Sequence, residues 1–102
     1  MKKKPKSKLR QEARNRDCKV NYIGYCRNDT ETTVLAHPND KALFGVGVGM
    51  KPDDMFGAHC CSICHDIYDG RTTAELSDEE IKIGFYRGVF RTQNILLQEG
   101  KL

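Results

Sequence analysis

The clearest periodicity along the chain lies near its end, in "LSDEEIKIGFYRGVFRTQNILLQEGKL". Ile81, Phe85, Val89 and Leu96 recur at intervals of four and seven, which places them on one face of a helix, and Ile83, Phe90 and Leu97 broaden that face. Ser77 and Glu80 form the S-x-x-E pattern of a capped helix start, and Asp78 and Glu79 suit the positive end of the helix dipole. The spacing predicts a long helix whose apolar face belongs to the core. Elsewhere the pattern is shorter. "TTVLAH" (Thr32 to His37) has the β-branched, apolar composition of a strand, and Pro38 keeps His37 at an extended end. "MFGAHC" predicts a second short strand, followed by a helix from Ser62 through Asp69 that Gly70 ends. Upstream, "LRQEARNR" (Leu9 to Arg16) predicts a short helix, and "CKVNYIGYC" two short extended pieces around Gly24. In "FGVGVGMKPDD" the alternating Gly45, Gly47 and Gly49 lack the G-x-G-x-x-G and G-K-[ST] spacings of phosphate loops, which predicts a flexible surface loop.

Composition sharpens this outline. The 102 residues form one domain, with 38% hydrophobic residues, 30% charged residues and no tryptophan. Such a lean core calls for a metal or disulfides. No apolar run reaches the roughly 18 residues of a membrane span, and none follows the basic N-terminus as a secretory signal requires. The expected compartment is the cytoplasm, where thiols stay reduced and clustered cysteines read as metal ligands. The net charge is only +3, but nine Lys or Arg fall within the first 19 residues against Glu12 and Asp17. Residues 1–9 are expected to be a disordered basic arm and residues 10–102 the folded domain. Such an arm can neutralise phosphates or simply remain solvated.

The candidate chemistry sits in "CCSICHDIYDGR" and its upstream partners. Cys61 and Cys64 have the C-x-x-C spacing of a tight zinc-binding turn, and Cys18 and Cys26 bracket a looser seven-residue loop. Together they predict a four-thiolate structural zinc site. Cys60 rivals Cys61, and spacing favours Cys61; the bland alternative is five ordinary buried thiols. His65 and Asp69 stand one helical turn apart, where they could hold a divalent cation or simply serve as a helix cap and an exposed acid. His37 reads as structural unless the strands fold over the helix, when it could take a proton from water. His59 has no partner at a telling spacing.

The order of Cys18, Cys26, "LAH" and then C-x-x-C-H resembles the HNH, or ββα-metal, nucleases. More closely, "RDC…C…ETTVLAH" and "CSICHDIYDGR" resemble the YbcO-like prophage nucleases, over nearly the whole folded chain. The resemblance implies an α+β, zinc-stapled ββα-metal domain with a C-terminal helix, acting as a metal-dependent DNA endonuclease. It implies Cys18, Cys26, Cys61 and Cys64 as zinc ligands and His37 as the general base. His65 and Asp69 would bind a catalytic Mg or Mn, and Arg71 would contact a flanking phosphate, with Arg14 and Arg16 as further nucleic-acid contacts. Two positions depart from the pattern. Ala36 stands where a ligand usually precedes the base, and the middle asparagine is missing, with Asp54 as a partial substitute. His37 could then serve as a ligand instead of the base. The competing expectation is a non-catalytic zinc module that binds nucleic acid or a phage or host recombination protein.

Overall fold

The computed structural model describes residues 6–102, with side chains from Lys8 onward. It is an α+β fold with one two-stranded antiparallel sheet and four helices: α1 (Lys6–Glu12), α2 (Lys41–Phe44), α3 (Ser62–Tyr68) and α4 (Asp78–Gln98). Strand β1 (Val34–Ala36) pairs with β2 (Ala58–Cys60) in the register Val34↔Cys60, Leu35↔His59 and Ala36↔Ala58. Short 3-10 turns precede each strand, at Thr30–Thr32 and Asp54–Phe56. Chain order therefore places β1, a long excursion, β2 and α3 in succession. The excursion carries the glycine-rich surface loop. Among the described residues no helix is long and apolar enough to cross a membrane.

Helix α4 starts as its sequence predicts. The Ser77 side chain accepts from the Glu80 N–H while the Glu80 carboxylate accepts from the Ser77 N–H, which satisfies two of the orphan donors at the helix start. Phe85, Val89, Thr92 and Leu96 are buried against β2 and the cysteine-bearing loop, and Phe85 stacks on Tyr68 of α3 with ring centroids 3.7 Å apart. The broadening residues do not join them. Ile83, Phe90 and Leu97 are 65%, 68% and 59% exposed, forming a separate stripe at seven-residue spacing. The core takes only a narrow face of α4 because the loop approaches too closely for more. A Cβ on Gly88 would lie 2.9 Å from the Val20 Cα, and one on Gly84 would lie 2.7 Å from the Tyr22 ring. These two glycines, one turn apart, let the loop backbone lie directly on the helix.

That loop, residues 18–26, corrects the two extended pieces expected there. Its backbone turns, with Asn21 and Gly24 at positive φ, and both the Tyr25 and Cys26 N–H groups donate to the Tyr22 carbonyl. The physical reason is sulfur: Asn21 N–H donates to Cys18 Sγ and Asn28 N–H to Cys26 Sγ, which curls each segment around its cysteine. Helix α1 begins earlier than Leu9 and ends at Glu12, because Asn15 adopts the left-handed conformation at φ 61°. Lys6–Leu9 of the expected arm are thus helical, and residues 1–5 lie outside the described residues. The second strand and its helix stand close to where they were expected, and Gly70 follows α3 at φ 75°.

Candidate metal centre and active-site cleft

The Sγ atoms of Cys18, Cys26, Cys61 and Cys64 lie within 4.8 Å of one another, and Cys26 and Cys61 are 3.8 Å apart. Four sulfurs about 2.3 Å from a central zinc would be separated by about 3.8 Å, so the donor set fits zinc. Cys61 is the N-cap residue of α3 and belongs to the cluster; Cys60, on β2, does not. The thiols of this region interact strongly, and Cys60 also lies within hydrogen-bond reach of Cys18. Thiol hydrogen bonds from Cys60 and Cys64 push Cys18 far below the usual thiol range. Their bonds to Cys18, together with burial, push Cys60 and Cys64 well above it. Burial lifts Cys26 to about 11. Four crowded sulfurs cannot all ionise together unless a cation lies among them.

The second feature is a cleft of about 300 Å³, lined by residues including Ala36, His37, Lys41, Lys51, His65 and Asp69. His37 follows β1 directly, and its Nε2 lies 2.6 Å from Asp54 Oδ1. Asp54 opens the 3-10 turn before β2, and its side chain is only 2% exposed. In the tautomer that donates from Nε2 to this carboxylate, Nδ1 is the ring's accepting edge. The segment after His37 is pinned to α3, because Tyr68 Oη accepts from the Asn39 N–H and donates to Asn39 Oδ1. On the other wall His65 Nε2 and Asp69 Oδ2 are 3.1 Å apart, one turn of α3 bringing them together. Burial holds the His65 imidazole below its ordinary pKa, keeping a nitrogen lone pair available. Asp69 Oδ2 also receives Arg71 Nη1 at 2.9 Å, while Arg71 Nε donates to Asp66 at 2.8 Å.

Several expected residues stand apart from this cleft. Arg16, read as a nucleic-acid contact, donates instead to Glu12 and to Glu99, 83 positions away, joining the end of α1 to the end of α4. Its side chain is 20% exposed. Arg14 is exposed, and Arg71 lies on the rim beside Asp69. Ala36 is buried and offers no ligand, which leaves His65 and Asp69 as a two-residue donor set. Among the described residues the four cysteines are the group of three or more potential ligands that converges on one point.

Two participants escaped the sequence reading. Asp54 was noted only as a substitute for asparagine, and its contact with His37 depends on the 3-10 turn. Arg10 was not singled out, yet its Nε lies 3.3 Å from Asp54 Oδ2. The missing asparagine was the one available signal for Asp54; Arg10 had none. His59 is fully buried, with neither ring nitrogen hydrogen-bonded, and burial lowers its pKa to about 4.

Fold and site together define a small cysteine-clustered α+β domain carrying an acid–base cleft beside its metal-type centre. The family described as "Putative nuclease YbcO" matches residues 7–101, and the chain belongs to that family. Relatives described by the same name occur in Escherichia coli (strain K12) and Enterobacteria phage 82. Each is 39% identical over 97 residues, covering 90% of this chain and 93% of the relative. A solved structure described as a putative bacteriophage protein from Escherichia coli str. K-12 substr. MG1655 superposes with a TM-score of 0.74 at 35% identity. It covers 91% of this chain and 100% of its own.

Proposed function

We propose that the protein is a metal-dependent endonuclease of the HNH, ββα-metal kind that hydrolyses DNA phosphodiester bonds, with zinc in the four-cysteine cluster and one Mg or Mn at His65 and Asp69. The observation that carries this reading is the cleft itself. A histidine backed by a buried carboxylate lines one wall, and a paired histidine and aspartate line the other. With Nε2 held against Asp54, His37 would accept a proton from water at Nδ1, the work of a general base. Asp54 fixes the ring and compensates the charge that develops on it. His65 and Asp69 supply one nitrogen and one oxygen, leaving most of a coordination sphere for water and phosphate. A cation held there would stabilise the crowded phosphate charge and the departing oxygen. Lys41 and Lys51 line the same cleft and suit a polyanionic backbone.

The buried Ala36 favours a second reading, a zinc-stapled module that binds nucleic acid or a recombination protein without cutting, since it leaves only two donors for a catalytic cation. Nicking of supercoiled plasmid with Mg or Mn, compared between wild type and His37→Ala, separates the two. Cleavage abolished in a variant with full zinc content supports the endonuclease. Intact plasmid, single-stranded and branched DNA, bound by a zinc-replete wild type, would leave the binding module standing.

A further inference from the structure

We infer that Arg10, on α1, is a positioning residue for the His37–Asp54 pair: it supplies the positive charge that lets a buried carboxylate hold the general base. The inference rests on the nuclease reading for its catalytic consequence, but the geometry behind it does not.

Asp54 is 3% exposed, and its two oxygens are treated unequally. Oδ1 accepts from His37 Nε2 at 2.6 Å and from Arg10 Nη2 at 3.4 Å. Oδ2 is buried and accepts no hydrogen bond; Arg10 Nε, 3.3 Å away, contacts it as an ion pair. A buried carboxylate whose second oxygen lacks a donor depends strongly on a nearby cation, because removing one partner of such a pair leaves the other charge uncompensated. A neutral amide in place of Asp54 would need no counter-charge. The aspartate instead meets an arginine on a helix that packs on the Asp54–Phe56 turn. Without Arg10, the carboxylate would be free to rotate toward water or pull His37 with it, and the basic Nδ1 edge would lose its aim into the cleft. The arginine is 53% exposed at its side chain, so solvent can reach its outer edge without displacing the inner contact.

An arginine that simply contacts DNA phosphate would act differently from one that aims the base. Four proteins test this: Arg10→Gln, Arg10→Lys, Asp54→Asn and the Arg10→Gln/Asp54→Asn double variant, each with its zinc content and melting temperature checked. Cleavage of plasmid with Mn is expected to show kcat reduced about tenfold or more in Arg10→Gln with KM changed by less than about twofold, as for lost orientation. Arg10→Lys should recover part of kcat. The double variant should match Asp54→Asn alone, because a neutral amide no longer requires the cation. Independently of cleavage, the proton on His37 Nε2 should give a slowly exchanging, downfield NMR signal in wild type. It should be lost in Arg10→Gln and restored in the double variant. A wild type that never cuts DNA would defeat the nuclease reading while this signal still decides the role of Arg10. An unchanged signal in Arg10→Gln, or a raised KM at constant kcat, would overturn the inference.

Discussion

The four-cysteine cluster and the histidine cleft share helix α3, yet they are built oppositely. Cys61 and Cys64 face inward at the start of the helix, with Cys18 and Cys26 closing the cluster from a loop that has no regular structure of its own. His65, the next residue after Cys64, points to the other side, where it and Asp69 are each 28% exposed at the side chain. A metal in the first would take all four ligands from the protein and leave no place for water, whereas one held by the proposed pair in the second would leave most of its sphere open. That is the physical difference between a metal site that builds a fold and one suited to chemistry.

The sharpest way to break the comparison is to remove the metal expected in the cysteine cluster. Loop 18–26 lies on Gly84 and Gly88 of α4 and donates one backbone hydrogen bond to β2, from the Lys19 N–H to the His59 carbonyl. Without a cation its four sulfurs repel one another as they ionise. Chelation, or Cys26→Ser, should therefore unfold the domain or leave it with greatly reduced stability, since structural zinc supplies folding free energy of order 10 kcal/mol in small domains. Circular dichroism with and without a strong chelator measures this. A melting temperature unmoved by chelation would mean that the cluster is not a metal site.

A smaller effect is expected from His59, a buried titratable group that belongs to neither centre. It sits on β2 with both ring nitrogens unsatisfied and burial holding its pKa at about 4, against 6.5 in water. The unfolded chain thus binds more protons between those values. Stability contributed by the neutral ring is complete above pH 6.5, falls as pH drops, and levels off below about pH 4, a loss of about 3 kcal/mol. Zinc thiolates also yield to acid, so the measurement is a difference. His59→Phe should be at least as stable as wild type at pH 7, because no hydrogen bond is lost, and it should lose less stability than wild type between pH 6.5 and 4.5. Parallel denaturant titrations at the two pH values decide it; equal losses would show that His59 is not the acid-sensitive group.

How legible each region was in the sequence follows from the range of its interactions. The C-x-x-C turn, the capping box of α4 and the His65–Asp69 pair are local, and local spacing exposes them. The quartet of cysteines was legible as two pairs of spaced thiols, but nothing in "CKVNYIGYC" alone shows that it folds back onto α4. Gly84 and Gly88 escaped notice for the same reason: a glycine in a helix signals a close approach only when the approaching chain is known. The ion pair of Arg16 was invisible because its acceptor Glu99 is 83 positions away. Asp54 and Arg10 lie 17 and 27 positions from His37, and their meeting is decided by how a short 3-10 turn and a seven-residue helix pack, which no periodicity encodes.

The smallest expected effect belongs to Arg71, and it concerns why the open site is open. Arg71 Nη1 is 2.9 Å from Asp69 Oδ2, the oxygen that His65 Nε2 approaches to 3.1 Å. The guanidinium is also anchored by Asp66. It therefore occupies with a tethered positive charge the carboxylate edge that a divalent cation would use. Exposed ion pairs of this kind are weak, so Arg71→Gln should tighten Mn binding only modestly, by about two- to fivefold. Titration of zinc-replete protein with Mn, followed by electron paramagnetic resonance, reads this directly and needs no cleavage. DNA phosphate would draw Arg71 off Asp69 in the same way, so adding a short duplex should tighten Mn binding in wild type more than in Arg71→Gln. If the variant binds Mn no better than wild type, Arg71 does not compete for Asp69, and the openness of the cleft comes from its two-ligand geometry alone.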